Sequence, residues 1–267
     1  MIDIDQIRGY FPAAVRDNAA FYKHMLKEYI QLMILDFISS SPYAGKLCFI
    51  GGTSLRLVYG IDRFSEDLDF DCKDMTEKEF KAMTDDVLSF LWMNDFNVEP
   101  RDRDNPKLTA FRRNIYFPGL LFELNLTGHR DERFLIKIEA QDQGVHYTPE
   151  MKDVKGCGFF FPIQVPPIGV LCSMKLSALT TRAKGRDFYD SMFLLALTQP
   201  DYDFLKIRCG IGSLQELKSH IDGLLQTVDL KIKARDFEHL LFNSANAGKI
   251  LRFCGIPSWK FRSSLTP

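Results

Sequence analysis

Two carboxylates separated by one residue, Asp67 and Asp69, are the part of this sequence best suited to chemistry. They stand in the run Arg63-Phe-Ser-Glu-Asp67-Leu-Asp69-Phe-Asp71. On a β-strand, residues i and i+2 share a face, so the pair is close enough to share a Mg2+ ion or a metal pair. Like charges held this near repel unless a cation or a basic group neutralises them. That weighs against an exposed acidic strand edge. Arg63 and Ser65, just upstream, are placed to touch phosphate oxygens.

Two further elements would complete such a centre. Upstream of Asp67, the apolar Leu47-Cys-Phe-Ile50 runs into Gly51-Gly52-Thr53-Ser54. A strand entering two glycines and then a helix exposes backbone N–H groups where phosphate binds. Gly-Gly turns before helices are common, and this one is neither a Walker A motif nor a dinucleotide fingerprint. Downstream, Phe134-Leu-Ile-Lys-Ile-Glu139 alternates with a period of two, placing Lys137 and Glu139 on one face. If this strand neighbours that of Asp67 and Asp69, Glu139 completes a three-carboxylate cluster. If it does not, the alternation is a solvent-facing one.

A fourth element is Lys175-Leu-Ser-Ala-Leu-Thr-Thr-Arg182-Ala-Lys-Gly-Arg186-Asp187-Phe-Tyr-Asp190. Gly185 separates two helices, and Asp187 and Asp190, three residues apart, share a helical face. Facing helices would bring Lys175 against one of them and orient its ammonium toward a triphosphate. In isolation, acidic residues at a helix start are ordinary capping.

The elements that must carry these residues are legible from periodicity. Residues 18–40 predict an amphipathic helix, 47–50 a buried strand, 53–59 a helix and 68–72 a strand. Thr76 with Glu79 is a capping-box signature opening a helix through about Met93. Strands are expected at 108–117, 120–126 and 134–141, and the passage 144–167 shows no helical period. Helices are expected at 168–182, 186–198, 213–226 and 236–252. Strands gather in residues 1–165 and helices in residues 166–267, which indicates an α+β chain with a sheet-bearing domain followed by a helical one.

Composition narrows the class. With 46% hydrophobic and 26% charged residues in 267, the chain reads as globular. A formal net charge of −1 offers nucleic acid no overall attraction. Contact would have to come from local basic groups: Arg112-Arg113, then Lys175, Arg182, Lys184 and Arg186, then Lys231, Lys233 and Arg235. Most of these read as solvated faces. The six cysteines, Cys48, Cys72, Cys157, Cys172, Cys209 and Cys254, form no Cys-x-x-Cys pair, and the five histidines are dispersed. This pattern fits a reducing cytoplasm and argues against a disulfide framework or a zinc site. Neither an export signal nor a membrane span is expected.

Together, Phe49-Ile-Gly-Gly-Thr-Ser-Leu55, Arg63-Phe-Ser-Glu-Asp-Leu-Asp-Phe70, Ile136-Lys-Ile-Glu139 and Lys175…Arg182…Arg186-Asp-Phe-Tyr-Asp190 resemble the AbiEii/AbiGii abortive-infection toxin family. These are nucleotidyltransferases of the DNA polymerase β-like superfamily, and the resemblance covers residues 45–195. It implies a polymerase β-like sheet flanked by helices, then a helical domain forming the other wall of a nucleotide cleft. It implies Mg2+ or Mn2+ on Asp67 and Asp69, with Glu139 as third carboxylate, and Lys175 and Asp190 in catalysis. Gly51, Gly52, Thr53, Ser54, Arg63, Ser65, Lys175, Arg186 and Asp187 would bind the nucleoside triphosphate. The implied reaction is in-line displacement at the α-phosphate by an acceptor hydroxyl. For some relatives that acceptor is the 3′ end of tRNA, and the toxin pairs with an antitoxin. Other acceptors, a small molecule or a protein side chain, stay open, as does a nucleotide-binding module without catalysis.

Overall fold

The computed structural model describes residues 2–102 and 109–253. Cys254 and the first residue of the strand expected at 108–117 lie outside them. The chain forms two compact units. The first comprises the chain up to Gly60, Phe64–Gly144 and Pro149–Val165. The second comprises Ile61–Arg63, Val145–Thr148 and the chain from Pro166.

The first unit opens with two short helices, Ile4–Gly9 (α1) and Ala13–Arg16 (α2), and the long Tyr22–Ser39 (α3). Leu47–Ile50 (β1) runs straight into Gly51–Leu57 (α4), and Asp67–Cys72 (β2) follows. Glu77–Met93 (α5) begins with both halves of the Thr76/Glu79 capping box. Then come Glu99–Pro100 (β3), Phe111–Tyr116 (β4), Leu120–Glu123 (α6), Leu135–Gln141 (β5), Glu150–Gly156 (β6) and Phe159–Val165 (β7). Five strands make one sheet in the order β1-β2-β5-β4-β3, with β2 and β5 parallel and their other neighbours antiparallel. The hairpin β6-β7 stands apart as a two-stranded sheet.

Hydrophobic burial fixes the register of the sheet's centre. Leu68, Ile136 and Ile138 are fully buried and Phe70 and Ala140 nearly so, while Asp67, Asp69, Lys137 and Glu139 are only half-buried. A one-residue slip of β5 would turn two isoleucines outward, at about 1.5–3 kcal/mol each. The apolar face therefore dictates which residues meet on the polar face: Asp67 lies opposite Lys137, and Asp69 opposite Glu139. Stacked Phe37 and Phe90, 4.5 Å apart, join α3 to α5, and Phe80 and Phe111, 5.6 Å apart, join α5 to β4.

The second unit is helical: Ile168–Arg182 (α7), Gly185–Leu195 (α8), Tyr202–Cys209 (α9), Leu214–Leu225 (α10) and Leu230–Arg235 (α11), with 3-10 turns at Glu238–Leu240 and Ser244–Arg252. Val145 packs with Val170 and Phe204 in a small apolar cluster. Asp62 ties its segment into this unit by accepting from Tyr189 Oη at 2.6 Å and Asn246 Nδ2 at 2.7 Å.

Two expectations differ from what forms. Residues 120–126, expected as a strand, hold the helical turn α6, because Gly119 in the left-handed region (φ 71°) redirects the chain before good helix formers. Residues 236–252 form two 3-10 turns rather than one helix, the second opened by Asn243 capping Ala245 N–H. The passage 144–167 holds the β6-β7 hairpin. Cys157 (φ 48°) and Gly158 (φ 87°) both have positive φ at its turn, as a type I′ hairpin loop requires.

Candidate active site

Asp67 and Asp69 point from the same face of β2, with Glu139 beside Asp69 on β5. Several of the groups around them are charged. Lys137 Nζ lies 3.0 Å from Asp67 Oδ2 and 3.2 Å from Glu139 Oε2. Arg112 of β4, in register with Glu139, pairs with its carboxylate. From α3, Lys27 Nζ lies 3.8 Å from Glu66 and over the ring of Phe134. Burial opposes the charge of Lys137, but Asp67 and Glu139 outweigh it and hold the ammonium above the usual lysine range. For Lys27, burial wins over Glu66 and Asp67 and pulls its pKa down. The third aspartate of the run, Asp71, is fully buried, accepts the Gln143 N–H at 2.9 Å and lies 3.5 Å from Lys73.

The glycine turn floors this face. Gly51 adopts φ +81°, and a Cβ there would sit 2.2 Å from Asp69 Oδ2. The carboxylate of Asp69 therefore occupies space that only glycine leaves open. Thr53 is buried and its hydroxyl donates to the Asp67 carbonyl, tying α4 to β2. Gly52 and Ser54 are buried in the same turn, and α4 carries no side-chain cap. Ser65 is half-buried, its carbonyl accepting from Gln31 Nε2 at 3.3 Å.

Carboxylate oxygens are the hard donors that Mg2+ and Mn2+ prefer. Asp67 and Asp69, two carboxylates on one strand face, offer such an ion two hard donors. Among the described residues, no group of three or more His, Cys, Asp or Glu is arranged to hold a metal. Glu139, in register with Asp69, has its carboxylate committed to Lys137 and Arg112.

In the second unit, Asp190 is the hub. Its oxygens accept from Arg63 Nε and Nη2, both at 2.7 Å, and Lys175 Nζ lies 2.8 Å from Oδ2. Asp190 is wholly buried, Arg63 is 1% exposed and Lys175 8%. Burial pushes against a charged Asp190, yet Arg63 and Lys175 overcome it and hold its pKa at about 2. Asp187, also fully buried, takes Arg182 in a two-pronged pair at 2.7 and 2.9 Å and accepts the Lys184 N–H at 3.1 Å. Arg186 is half-buried in the first turn of α8.

Lys27, Lys137 and Asp62 are not among the residues whose spacing along the chain points to the site. Lys137 had a usable signal, since a residue two before a carboxylate on a strand shares its face. Lys27 and Asp62 had none, because only tertiary packing brings them to their partners.

Residues 34–239 match the model of the nucleotidyl transferase AbiEii toxin family, a type IV toxin-antitoxin system. The chain belongs to the AbiEii nucleotidyltransferase toxins. As an AbiEii protein it is a nucleotidyltransferase, and its family implies a nucleoside triphosphate substrate and an antitoxin partner. Among solved structures it resembles MenT4, a nucleotidyltransferase toxin of Mycobacterium tuberculosis H37Rv. The TM-score is 0.53 at 19% identity, covering 77% of this chain and 68% of that one. It also resembles JHP933 from Helicobacter pylori, with a TM-score of 0.53 at 20% identity over 86% of this chain and 90% of that one. At such identities the likeness establishes the fold, an α+β nucleotidyltransferase sheet with helices. No curated protein matches the sequence. No helix of the described residues is long and apolar enough to cross a membrane. The described cysteines are all free thiols.

The packing of Asp69 over Gly51 gives a direct test within this AbiEii enzyme. Gly51→Ala is expected to cost about 1–3 kcal/mol of stability from the strained backbone. It should also lower transfer at least about 100-fold, because the Asp69 carboxylate must move. Thermal melting alongside a transfer assay measures both, and unchanged transfer would show that the glycine is not the floor of the site.

Proposed function

We propose that this AbiEii enzyme transfers a nucleotidyl group from a nucleoside triphosphate to the 3′ end of tRNA, with Asp67 and Asp69 holding a divalent cation. The observation that carries this reading is the pair of carboxylates on one face of β2, one of them seated on the Gly51 backbone beside the first turn of α4. When bound, such a cation lowers the pKa of the acceptor hydroxyl and neutralises charge on the departing pyrophosphate.

The chain's own residues do the rest. Gly51, Gly52, Thr53 and Ser54 offer first-turn amides to a phosphate, and Ser65 adds a polar group next to Asp67. Lys175 presents its ammonium to the nucleotide in the geometry that Asp190 imposes. For Arg63, buried and gripping Asp190 with both prongs of its guanidinium, the role we assign is to position that lysine through the aspartate. Asp187 likewise fixes Arg182 and the start of α8, so that Arg186 projects from a rigid turn.

For the acceptor, Arg112, Arg113, Arg182 and Lys175 are committed to carboxylates. Exposed Lys184, Lys231 and Arg235 supply local positive charge in adjoining elements: α8 packs on α11 so tightly that a Cβ on Gly185 would meet the Lys233 carbonyl oxygen at 1.8 Å. A basic surface of this kind suits a phosphate backbone.

Incubating the protein with each labelled nucleoside triphosphate, Mg2+ and total tRNA tests the reading. Label on tRNA 3′ ends with release of pyrophosphate is the expected result. Label on protein or on a small molecule would overturn the tRNA acceptor. Absence of pyrophosphate release under all conditions would overturn catalysis at Asp67 and Asp69.

A further inference from the structure

We propose that Lys137 is a built-in counter-cation of the carboxylate face, holding the place of the divalent ion until a nucleoside triphosphate arrives with it. This rests on the reading of Asp67 and Asp69 as cation ligands, and it explains how those ligands coexist before the substrate binds.

Among the described residues, the charges named at the site come from four elements. Glu66, Asp67 and Asp69 lie on β2 and the loop before it, Glu139 and Lys137 on β5, Arg112 on β4 and Lys27 on α3. Among the described residues, four carboxylates thus stand against three cations, which offset most of their charge. The contacts are specific. Lys137 spans Asp67 at 3.0 Å and Glu139 at 3.2 Å, and Arg112 holds the remaining carboxylate charge of Glu139. A divalent ion that takes Asp67 Oδ2 must displace the Lys137 ammonium from that oxygen.

Displacement needs a destination. Displaced from Asp67, the ammonium keeps only Glu139, whose carboxylate it shares with Arg112, so one of its two anionic contacts is lost. The phosphates of a nucleoside triphosphate supply the missing negative charge. A lysine on its flexible four-carbon stem can turn from carboxylate to phosphate as one compact charge. Metal and nucleotide therefore bind with positive coupling, and the coupling is reciprocal by linkage. Metal alone binds weakly, and the face stays closed to free divalent ions. An arginine in this position would behave differently, because its planar fork suits two carboxylates at once and would hold them more firmly.

Mn2+ binding to the full-length protein, followed by the electron paramagnetic resonance signal of the free ion, reads this directly without turnover. Without nucleotide, K137M is expected to bind Mn2+ at least about tenfold more tightly than the wild type, within the usual span of coupling between sites. K137Q, neutral but polar, is expected to tighten binding as well, and K137R to bind no more tightly than the wild type. Adding a non-hydrolysable triphosphate analogue is expected to tighten Mn2+ binding in the wild type far more than in K137M. Circular dichroism confirms that the variants keep their fold, and K137Q carries the test if K137M does not. Neutral variants that bind Mn2+ no better than the wild type would overturn the proposal. D67N and D69N separate it from the reading beneath. If, with the triphosphate analogue present, they bind Mn2+ like the wild type, the cation site itself is misassigned. If they lose Mn2+ while K137M and K137Q gain nothing, only the role of Lys137 falls.

Discussion

Asp69→Asn is expected to abolish nucleotidyl transfer, by at least about 1,000-fold in rate, while shifting the melting temperature by only a few degrees. Asparagine keeps the shape that fills the space above Gly51, where no Cβ fits, and so keeps the local packing. It removes the anionic oxygen, and preorganised charge of this kind accounts for large factors in phosphoryl-type transfer. Asp67→Asn should be comparably inactive and should in addition release Lys137 from one of its two carboxylates. Glu139→Gln separates the roles. Its carboxylate engages Lys137 and Arg112, so its loss should act as the loss of a supporting partner does, about 10–100-fold. Single-turnover transfer of label with parallel pyrophosphate release ranks the three variants. Near-normal transfer in Asp69→Asn would remove the basis for the proposed chemistry, and a Glu139→Gln variant as dead as the aspartate variants would make Glu139 a direct ligand.

That ranking depends on a pairing which the sequence could suggest but not establish. Period-two alternation in Phe134–Glu139 and in Leu68–Cys72 told which residues share a face, because burying Leu68, Ile136 and Ile138 on the other face leaves no alternative. It could not tell that β2 and β5 are neighbours, since 62 residues and two intervening strands separate Cys72 from Leu135. The capping box at Thr76 was readable because its two residues lie three apart and act on each other alone. The β6-β7 hairpin was not, because its turn uses Cys157 in a left-handed conformation that cysteine seldom adopts, and Pro162 interrupts the strand pattern. The site was legible in the same measure. Residues grouped along the chain, Asp67 with Asp69 and Asp187 with Asp190, announced themselves by spacing. Their partners from afar did not: Lys27, Arg112 and Lys137 surround one pair, and Arg63 reaches Asp190 from 127 positions away. The place of Arg63 just before Ser65 and Asp67 suggests a phosphate contact, and its neighbours along the chain give no hint of a buried aspartate. Charge balance is a property of the folded surroundings, and residue types by themselves do not state it.

The largest effect on stability is expected from Asp190→Asn. The change keeps volume but leaves the guanidinium of Arg63 and the ammonium of Lys175 buried together without their counter-charge, and removing one partner of a buried ion pair costs about 3–5 kcal/mol. The dependence on pH has a definite sign. The Asp190 carboxyl titrates at about 2 in the folded chain against 3.8 as its ordinary value. A depressed carboxylate contributes stability that is complete above the unfolded pKa and disappears as pH falls through the folded one. That contribution is about 2 kcal/mol, so the gap between wild type and Asp190→Asn should be constant near neutrality and narrow between about pH 4 and pH 2. Urea unfolding of both proteins across this range measures the gap, with hydrogen exchange in α7 and α8 locating the loss in the second unit. Lys175→Met should cost less than Asp190→Asn, because Arg63 still neutralises the aspartate through both of its oxygens. It should nevertheless lower transfer as severely, since the ammonium proposed to meet the nucleotide is gone. An Asp190→Asn protein as stable as the wild type at neutral pH would mean that the triad adds nothing to the fold, and Lys175→Met with full activity would mean that the lysine it holds meets no substrate.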